Sequence, residues 1–227
     1  KMKNNLFPLL FIILLISSCS TPSSLPTRES TYANLYQQSP ITIMLMPPIN
    51  RSTKVEAKEL FYSSLIIPLT QRGYYVLPPL LTMTILQEES AYDTELYINN
   101  SIIKAGELFG ADAALFTIIH SWEKSSISGI ITVDIEYILK SAKNDESLFH
   151  RRGEISLNIE MNTGSILGDL IGTMIATAMT KEIGVARSCN VRSFLDIPFG
   201  AYSPYFNQDK HIHSMPKEFK ETITKTY

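Results

Sequence analysis

The sequence predicts an α/β domain, with a mixed sheet, helices packed on that sheet and a long antiparallel hairpin. Three patterns predict this fold class. Apolar runs of strand length alternate with helical segments through the first half of the chain. Two segments that alternate apolar and polar residues then flank a turn at 142–146, AKNDE. An apolar helix over 164–183 follows them.

The first half of the chain contains strands and helices in turn. Apolar runs flanked by proline or glycine predict strands at 41–46, 74–77 and 113–120. Segments with helical periodicity predict helices at 52–72, 80–89 and 94–109. Pro68 should kink the first helix or end it early, because proline lacks the N–H group that a helix needs. Gly110 stands where the third helix should end.

The second half contains the hairpin. Residues 132–139 and 154–161 alternate with a period of two, so successive side chains lie on opposite faces of a strand. We therefore expect one buried face and one face in contact with water.

The amino terminus has the pattern of a secretory signal peptide over 1–18. Lys1 and Lys3 precede an apolar stretch at 6–16, with Pro8 as its interruption. As a helix this stretch would rise about 16 Å, roughly half the thickness of a bilayer core. It is too short to span a membrane and fits the apolar region of a signal peptide.

Ile16, Ser17, Ser18 and Cys19 resemble the bacterial lipobox, in which a branched apolar residue and two small residues precede a cysteine. The small side chains let the signal peptidase approach the backbone, and the cysteine thiol accepts the lipid. Ser20 in place of aspartate resembles the pattern of lipoproteins sorted to the outer membrane. The alternatives are an ordinary cleaved signal with a chance cysteine, or a short core helix.

The chain after the signal divides into three parts. Residues 19–40 are predicted to be the lipidated cysteine and a flexible tether, since they are rich in Ser, Thr, Pro and Gln. Such a tether would reach about 25 Å. Residues 41–209 are predicted to form a single α/β domain, and 210–227 a polar carboxy-terminal tail.

The charge and the cysteines exclude some classes of protein. The net charge is −2, and without Lys1 and Lys3 the 20 basic residues become 18 against 22 acidic residues. This balance does not suggest nucleic-acid binding, which needs a concentrated basic face. If Cys19 is acylated, Cys189 has no partner for a disulfide. We expect it to be a small buried apolar residue.

Four segments together resemble a bacterial lipoprotein family of the neisserial vaccine-antigen type, whose domain has no assigned function. They are MLMPPIN (44–50), PLTQRGYYVLPP (68–79), FGADAALF (109–116) and IPFGAYSPYF (197–206). The likeness runs from about Ile41 to Asp209. It implies a fold similar to the TolB amino-terminal domain and the curli secretion lipoprotein. It also implies a role in envelope transport or assembly, with no reaction established. The late pattern of the family has Pro and His where this chain has Ala201 and Ser203.

No enzyme motif is present: the sequence contains no Walker loop, Gly-x-Ser-x-Gly elbow, His-Glu-x-x-His or Cys-x-x-Cys pattern. We therefore predict no catalytic residue, no cofactor and no metal site. His211 and His213 could offer two imidazoles to a metal, with His120 or Asp209 as a further ligand. Solvated histidines on a polar tail are the favoured interpretation.

Two features predict contacts instead. Gly164, Gly168, Gly172 and Ala176 form a small-residue stripe on the last helix. The stripe could pack on the protein's own sheet, form a subunit interface at Gly168 and Gly172, or pair helices in a membrane.

The second feature is an aromatic segment that contains Phe199, Tyr202, Tyr205 and Phe206 among turn residues. It is either a strap packed over the core or an exposed binding patch.

The sequence thus predicts a non-enzymatic lipoprotein of the bacterial outer membrane, facing the periplasm, that binds protein partners in an envelope transport or assembly complex. The expected partners are the membrane, through Cys19, and envelope proteins, among them further copies of this chain in a homo-oligomer, with no nucleic acid. The alternative is an oligomeric pore or secretion subunit that resembles the curli channel lipoprotein. A pore would need the hairpin at 125–161 to enter a bilayer.

Overall fold

The strands of the described chain form one mixed sheet, in the order β3-β1-β4-β5-β6-β7, with β2 paired to β4 beyond β1. The computed structural model describes residues 25–88, 93–158 and 171–223, and within the last helix it describes side chains from residue 182 onward. The strands are β1 (Thr42–Leu45), β2 (Ile49–Asn50), β3 (Tyr75–Val76), β4 (Ala113–Lys124), β5 (Ile130–Ser141), β6 (Ser147–Asn158) and β7 (Glu218–Ile223). The helices are α1 (Arg28–Thr31), α2 (Ala33–Gln38), α3 (Ala57–Ser64), α4 (Ile66–Gln71), α5 (Pro79–Glu88), α6 (Thr94–Ile98), α7 (Ile103–Phe109) and α8 (Ile171–Ser193).

The structure confirms the predicted α/β class and contains the predicted long antiparallel hairpin. β5 pairs antiparallel with β4 on one side and with β6 on the other. The turn at 142–146 joins β5 to β6, as predicted. Residues of β5 alternate between buried and partly exposed along the whole strand, so one hairpin face belongs to the core.

Two apolar clusters cover the two faces of the sheet. The larger joins one face to α2, α3 and α8, and contains residues such as Phe61, Trp122 and Tyr137. The smaller joins the opposite face to α5 and α7, through residues such as Met46 and Phe116. The smaller cluster ends at Ile138, so the rest of that face on β5 and β6 carries partly exposed polar side chains.

The predicted helix over 52–72 is interrupted, as expected from Pro68. The break between α3 and α4 lies at Leu65, next to Ser64. The missing N–H of Pro68 would have paired with the carbonyl of Ser64, four residues earlier, so the helix cannot continue through this point.

The prediction of one helix over 94–109 is wrong, because the structure has two helices, α6 and α7. Polar side chains between them compete for the backbone groups that a continuous helix would use. Asn100 Nδ2 donates to the Leu96 carbonyl at 2.5 Å. Ile102 N donates to Asp145 Oδ1 at 2.8 Å, across to the hairpin turn.

The predicted boundary between tether and domain, at residue 40, lies too far along the chain. Within its described part, α1 and α2 pack on the domain, and Tyr32 and Leu35 belong to the larger core cluster. The composition of this segment is typical of a linker, but its few apolar side chains are buried. The folded domain therefore begins before residue 28.

The predicted polar tail over 210–227 is also wrong in its described part, since β7 adds a parallel edge strand to β6. Phe219 pairs with Gly153, and a Cβ on Gly153 would lie 2.4 Å from the Phe219 ring. The same ring lies 4.2 Å from the guanidinium of Arg151, which is fully buried. Three of the six residues of β7 are charged, so its composition is typical of a solvated tail, although charged residues are also common on edge strands.

The last helix ends at Ser193 rather than near 183. Within residues 25–88, 93–158 and 171–223, no helix combines the length and the apolar character that a membrane crossing requires.

Candidate functional site

A buried network of charged side chains connects α1 and α2 to residues 195–209. Arg28, at the start of α1, is 7% exposed. Its Nε donates to Asp196 Oδ1 at 3.1 Å, and its Nη1 donates to Asp209 Oδ2 at 2.9 Å. Its Nη2 donates to the carbonyl of Leu195 at 2.9 Å. The planar guanidinium thus bridges three segments that are distant in sequence.

Two tyrosines complete this network. Tyr32 Oη donates to Asp196 Oδ2 at 2.6 Å, and Tyr36 Oη donates to Asp209 Oδ1 at 2.9 Å. Burial raises the pKa of both phenols well above the ordinary tyrosine value, and the hydrogen bonds to the carboxylates raise it further. Both phenols therefore remain protonated donors, and each buried carboxylate is satisfied by several donors.

The aromatic segment packs on the loop that leads into β3. Gly200 N donates to the Arg72 carbonyl at 2.8 Å, and Tyr202 N donates to the Gly73 carbonyl at 3.0 Å. Tyr74 Oη donates to the Pro198 carbonyl at 2.8 Å. Residues 68–79 and 197–206, which are two of the four segments that carry the family resemblance, are thus in direct contact. We call residues 198–206 the aromatic strap.

The close approach of the strap depends on glycine. Gly73 has φ +87°, and a Cβ there would lie 2.4 Å from Ser203 N. A Cβ on Gly200 would lie 2.5 Å from the Gly73 carbonyl oxygen. A side chain at either position would push the strap off the domain.

The strap is partly packed on the domain and partly exposed, so it combines the two predicted alternatives. Phe199 and Phe206 are partly buried, and the Arg72 guanidinium lies 4.8 Å from the Phe199 ring. Tyr202 and Tyr205 are 69% and 58% exposed. The cavity beneath the strap is about 10 Å³, which is room for a single water molecule and excludes an enclosed small-molecule site there. The strap thus presents Tyr202 and Tyr205 on its outer side.

A second cluster lies on the polar face of the hairpin sheet. His120 Nε2 donates to Glu136 Oε2 at 2.7 Å, and His150 Nε2 donates to Glu136 Oε1 at 2.6 Å. Ile118 pairs with Glu136, and β4 carries a bulge at His120, between Ile119 and Ser121. Burial raises the pKa of Glu136, but the two histidine hydrogen bonds outweigh burial, so its pKa lies below the ordinary glutamate value. No histidine, cysteine or carboxylate cluster within the described chain has the arrangement of a metal site.

We predict that Glu136→Gln lowers the free energy of unfolding by about 1.5–3 kcal/mol at neutral pH, because two charge-assisted hydrogen bonds lose their charge. The folded-state pKa of Glu136 is lowered, so this contribution is fully present above the unfolded-state pKa of about 4.3. It is lost as the pH falls through the folded-state pKa. Urea unfolding of both proteins at neutral and acidic pH measures the difference.

The matched control is Glu154→Gln on β6. Glu154 pairs with Lys220 at 2.7 Å in an exposed ion pair, so its replacement should cost less than about 1 kcal/mol. Equal losses in the two variants would show that Glu136 contributes no more than a surface charge.

An open groove lies on another part of the surface. Its volume is about 390 Å³, and its lining includes Ile49, Asn50, Lys58 and Glu95. The lining mixes both signs of charge, so it does not indicate one class of ligand.

The structure describes only some of the predicted site residues. Ile16, Ser17, Ser18, Cys19 and Gly168 lie outside the residues that it describes. Gly172 lies in α8 at a position where only the backbone is described, so the predicted interface stripe stays a prediction.

Two other predictions concern histidine and cysteine. His211 and His213 are exposed, while His120 is bound to Glu136 on the sheet and Asp209 to Arg28 in the core. The four residues are thus not gathered around one point. Cys189 is fully buried, as expected, and burial raises the pKa of its thiol.

Sequence reasoning missed Arg28, Asp196 and Glu136. Thr27 is a capping residue whose hydroxyl accepts a hydrogen bond from Ser30 N, so it could have signalled a helix start within the supposed tether. A buried arginine has no sequence pattern of its own, since its partners lie more than 160 residues away.

Relatives of this chain occur among lipoproteins of Neisseria. Putative lipoprotein NMB1124/NMB1162 from Neisseria meningitidis serogroup B (strain ATCC BAA-335 / MC58) is 21% identical over 165 residues, which are 72% of this chain and 75% of that protein. The crystal structure of lipoprotein GNA1162 from Neisseria meningitidis is also 21% identical. It matches with a TM-score of 0.49 over 63% of this chain and 97% of that chain. The LpoB C-terminal domain from Salmonella enterica is 10% identical, with a TM-score of 0.40 over 56% of this chain and 94% of that chain.

The family match covers a similar share of the chain. The sequence profile of a family described as Putative lipoprotein GNA1162-like matches residues 30–192. This range begins earlier than the resemblance from residue 41, includes the second half of α1 and all of α2, and stops before the aromatic strap. It spans more than half of the chain and confirms the resemblance. The chain belongs to the GNA1162-like lipoprotein family.

Proposed function

We propose that this chain is an outer-membrane lipoprotein that faces the periplasm, is anchored by acyl chains on Cys19, and acts as a non-enzymatic partner-binding component of an envelope complex. Membership of a lipoprotein family supports the anchor. Ile16, Ser17, Ser18 and Cys19 supply the residues at which such an anchor is attached.

The aromatic strap carries the partner-binding part of this proposal. Tyr202 and Tyr205 are large, exposed and close to each other in sequence, and tyrosine is enriched at the centres of protein interfaces. The strap backbone is held by hydrogen bonds to Arg72 and Gly73, so little conformational entropy remains to be lost on binding.

The hairpin argues against pore formation by insertion into lipid. The apolar face of β5 contains Val133, Ile135, Tyr137 and Leu139, and all four side chains are fully buried against the domain's own core. This face is not available to acyl chains unless the domain unfolds. Self-assembly through the strap is a separate possibility, which the experiment below distinguishes.

Photo-crosslinking in living cells tests the proposal. We expect a photoreactive amino acid at Tyr202 to give a discrete membrane-bound adduct with one other envelope protein. Val55 is 79% exposed and lies outside the strap, so the same amino acid at Val55 serves as the matched control and should give no such adduct. Intact-mass analysis of the same preparation should show a chain that starts at Cys19 and carries added lipid.

The outcomes separate the parts of the proposal. An adduct of twice the mass of this chain would favour a homo-oligomer. Equal labelling from Tyr202 and Val55 would exclude the strap as the binding surface. An unmodified Cys19 in membrane-extracted protein would exclude the lipid anchor.

A further inference from the structure

The chain enters the described fold beside a short exposed ribbon. Residues 25–29 run antiparallel to residues 210–215, with a bridge between Thr27 and His213. Arg28 N donates to the Ile212 carbonyl at 2.8 Å, and Ser214 N donates to the Pro26 carbonyl at 2.9 Å. We call these two segments the exit ribbon. Because Arg28 is held by Asp196 and Asp209, the ribbon is fixed to the domain.

The exit ribbon lies close to the proposed lipid. Cys19 precedes Leu25 by six residues, and six residues span at most about 20 Å even when fully extended. A tether of 21 residues would have allowed many orientations, but the described fold already includes Leu25 and Arg28, so only this short length of sequence separates it from Cys19. The side of the domain that carries the ribbon must therefore stay close to the membrane surface.

The side chains of the ribbon suit a lipid interface. Leu25 is 66% exposed and Ile212 is 42% exposed. His211 and His213 flank Ile212 in sequence and are also exposed, and the His213 Nδ1 lies 3.1 Å from the Leu25 carbonyl oxygen. Apolar side chains among cationic or amphipathic ones are the composition that binds at the boundary between headgroups and acyl chains. A short tether raises the local concentration of this patch at the membrane, so even weak contacts become populated.

We infer that the exit ribbon is a membrane-contact surface, on which Leu25 and Ile212 enter the headgroup region and set the orientation of the domain. The inference rests on the acylation of Cys19 proposed above. The ribbon would hold the domain against the bilayer, while the aromatic strap, a separate segment of the surface, remains available to a protein partner. The charge on the ribbon is mixed, since Lys210 pairs with Glu29 at 3.5 Å, so contact depends on the apolar side chains rather than on charge alone.

Tryptophan quenching by brominated lipids tests this surface in the full lipidated protein. The protein is reconstituted into phosphatidylcholine and phosphatidylglycerol vesicles, with and without bromine on the acyl chains near the headgroups. We expect Ile212→Trp to lose most of its added fluorescence in the brominated vesicles. Ile127→Trp is the matched control, because Ile127 is 97% exposed in the β4–β5 turn. Arg151 Nη2 donates to Met215 Sδ at the end of the ribbon at 3.6 Å, and Arg151 pairs with Tyr137 on β5. The β4–β5 turn lies about 20 Å or more along the sheet from this pair, so its tryptophan should keep its fluorescence.

A second pair of variants tests the mechanism. Leu25→Asp, added to Ile212→Trp, should reduce the quenching, whereas Leu80→Asp should not, because Leu80 is 80% exposed but lies on α5. Quenching at Ile127 equal to that at Ile212, or none at Ile212, would overturn the inference. Intact mass reports Cys19 acylation independently. Acylated, vesicle-bound protein without quenching at Ile212 would overturn the membrane-contact surface but not the lipid anchor. Quenching at Ile212 in protein whose Cys19 is unacylated would overturn the lipid anchor but not the membrane-contact surface.

Discussion

Arg28→Met should lower the free energy of unfolding by about 3–5 kcal/mol, because it removes one partner of a buried ion pair and leaves the other uncompensated. Asp196 is 0% exposed and Asp209 is 2% exposed, so neither carboxylate can recover its charge stabilisation from water. Both would keep hydrogen bonds from a tyrosine, but they would lose the cation that offsets their desolvation. Urea-induced unfolding followed by circular dichroism measures the loss.

Three further variants make the interpretation specific. Arg51→Met, at an exposed position, should change stability by less than about 0.5 kcal/mol. Arg28→Lys should give an intermediate loss, since an ammonium cannot reach Asp196, Asp209 and the Leu195 carbonyl together. Adding Asp209→Asn to Arg28→Met should restore part of the stability, because it removes one of the two uncompensated charges. Unchanged stability in Arg28→Met would contradict the network.

Gly73→Ala should cost about 2–4 kcal/mol, since two effects act at the same position. A non-glycine residue at φ +87° adopts a strained backbone. The new Cβ would also lie 2.4 Å from Ser203 N and 2.7 Å from Ser203 Cβ, so the aromatic strap must move. Displacement of the strap should expose its peptide bonds, which limited proteolysis within 198–206 would detect.

Gly110→Ala is the matched control, because it shares the backbone strain without the contact. Gly110 has φ +63°, and nothing lies within 4 Å of a Cβ built there. Its replacement should cost about 1–2 kcal/mol and leave proteolysis of the strap unchanged. If both variants lose equal stability and the strap stays resistant, the close approach of Gly73 and Ser203 has no energetic role.

The central strands of the sheet could be predicted because their patterns are local. Alternation along β5 and β6 reports burial on one face, and the turn at 142–146 reports the reversal between them. Pro68 marked the helix break through the hydrogen bond that it cannot make. The candidate site could be predicted in part. The composition of the aromatic strap identified it as a contact surface, but only the structure shows that Phe199 packs against Arg72 on its inner side.

The sequence by itself therefore determined the α/β class and the hairpin, because periodicity depends on neighbouring residues. The lipobox with Cys19 is likewise a contiguous motif, and it stays a prediction of the sequence. The tertiary structure decided the extent of the domain at both ends. The segments at 28–38 and 218–223 have the composition of solvated chain, yet the first is held by Arg28 through carboxylates far along the sequence, and the second by the Phe219 ring over Gly153 and Arg151. Such contacts depend on three-dimensional proximity, so no local pattern records them.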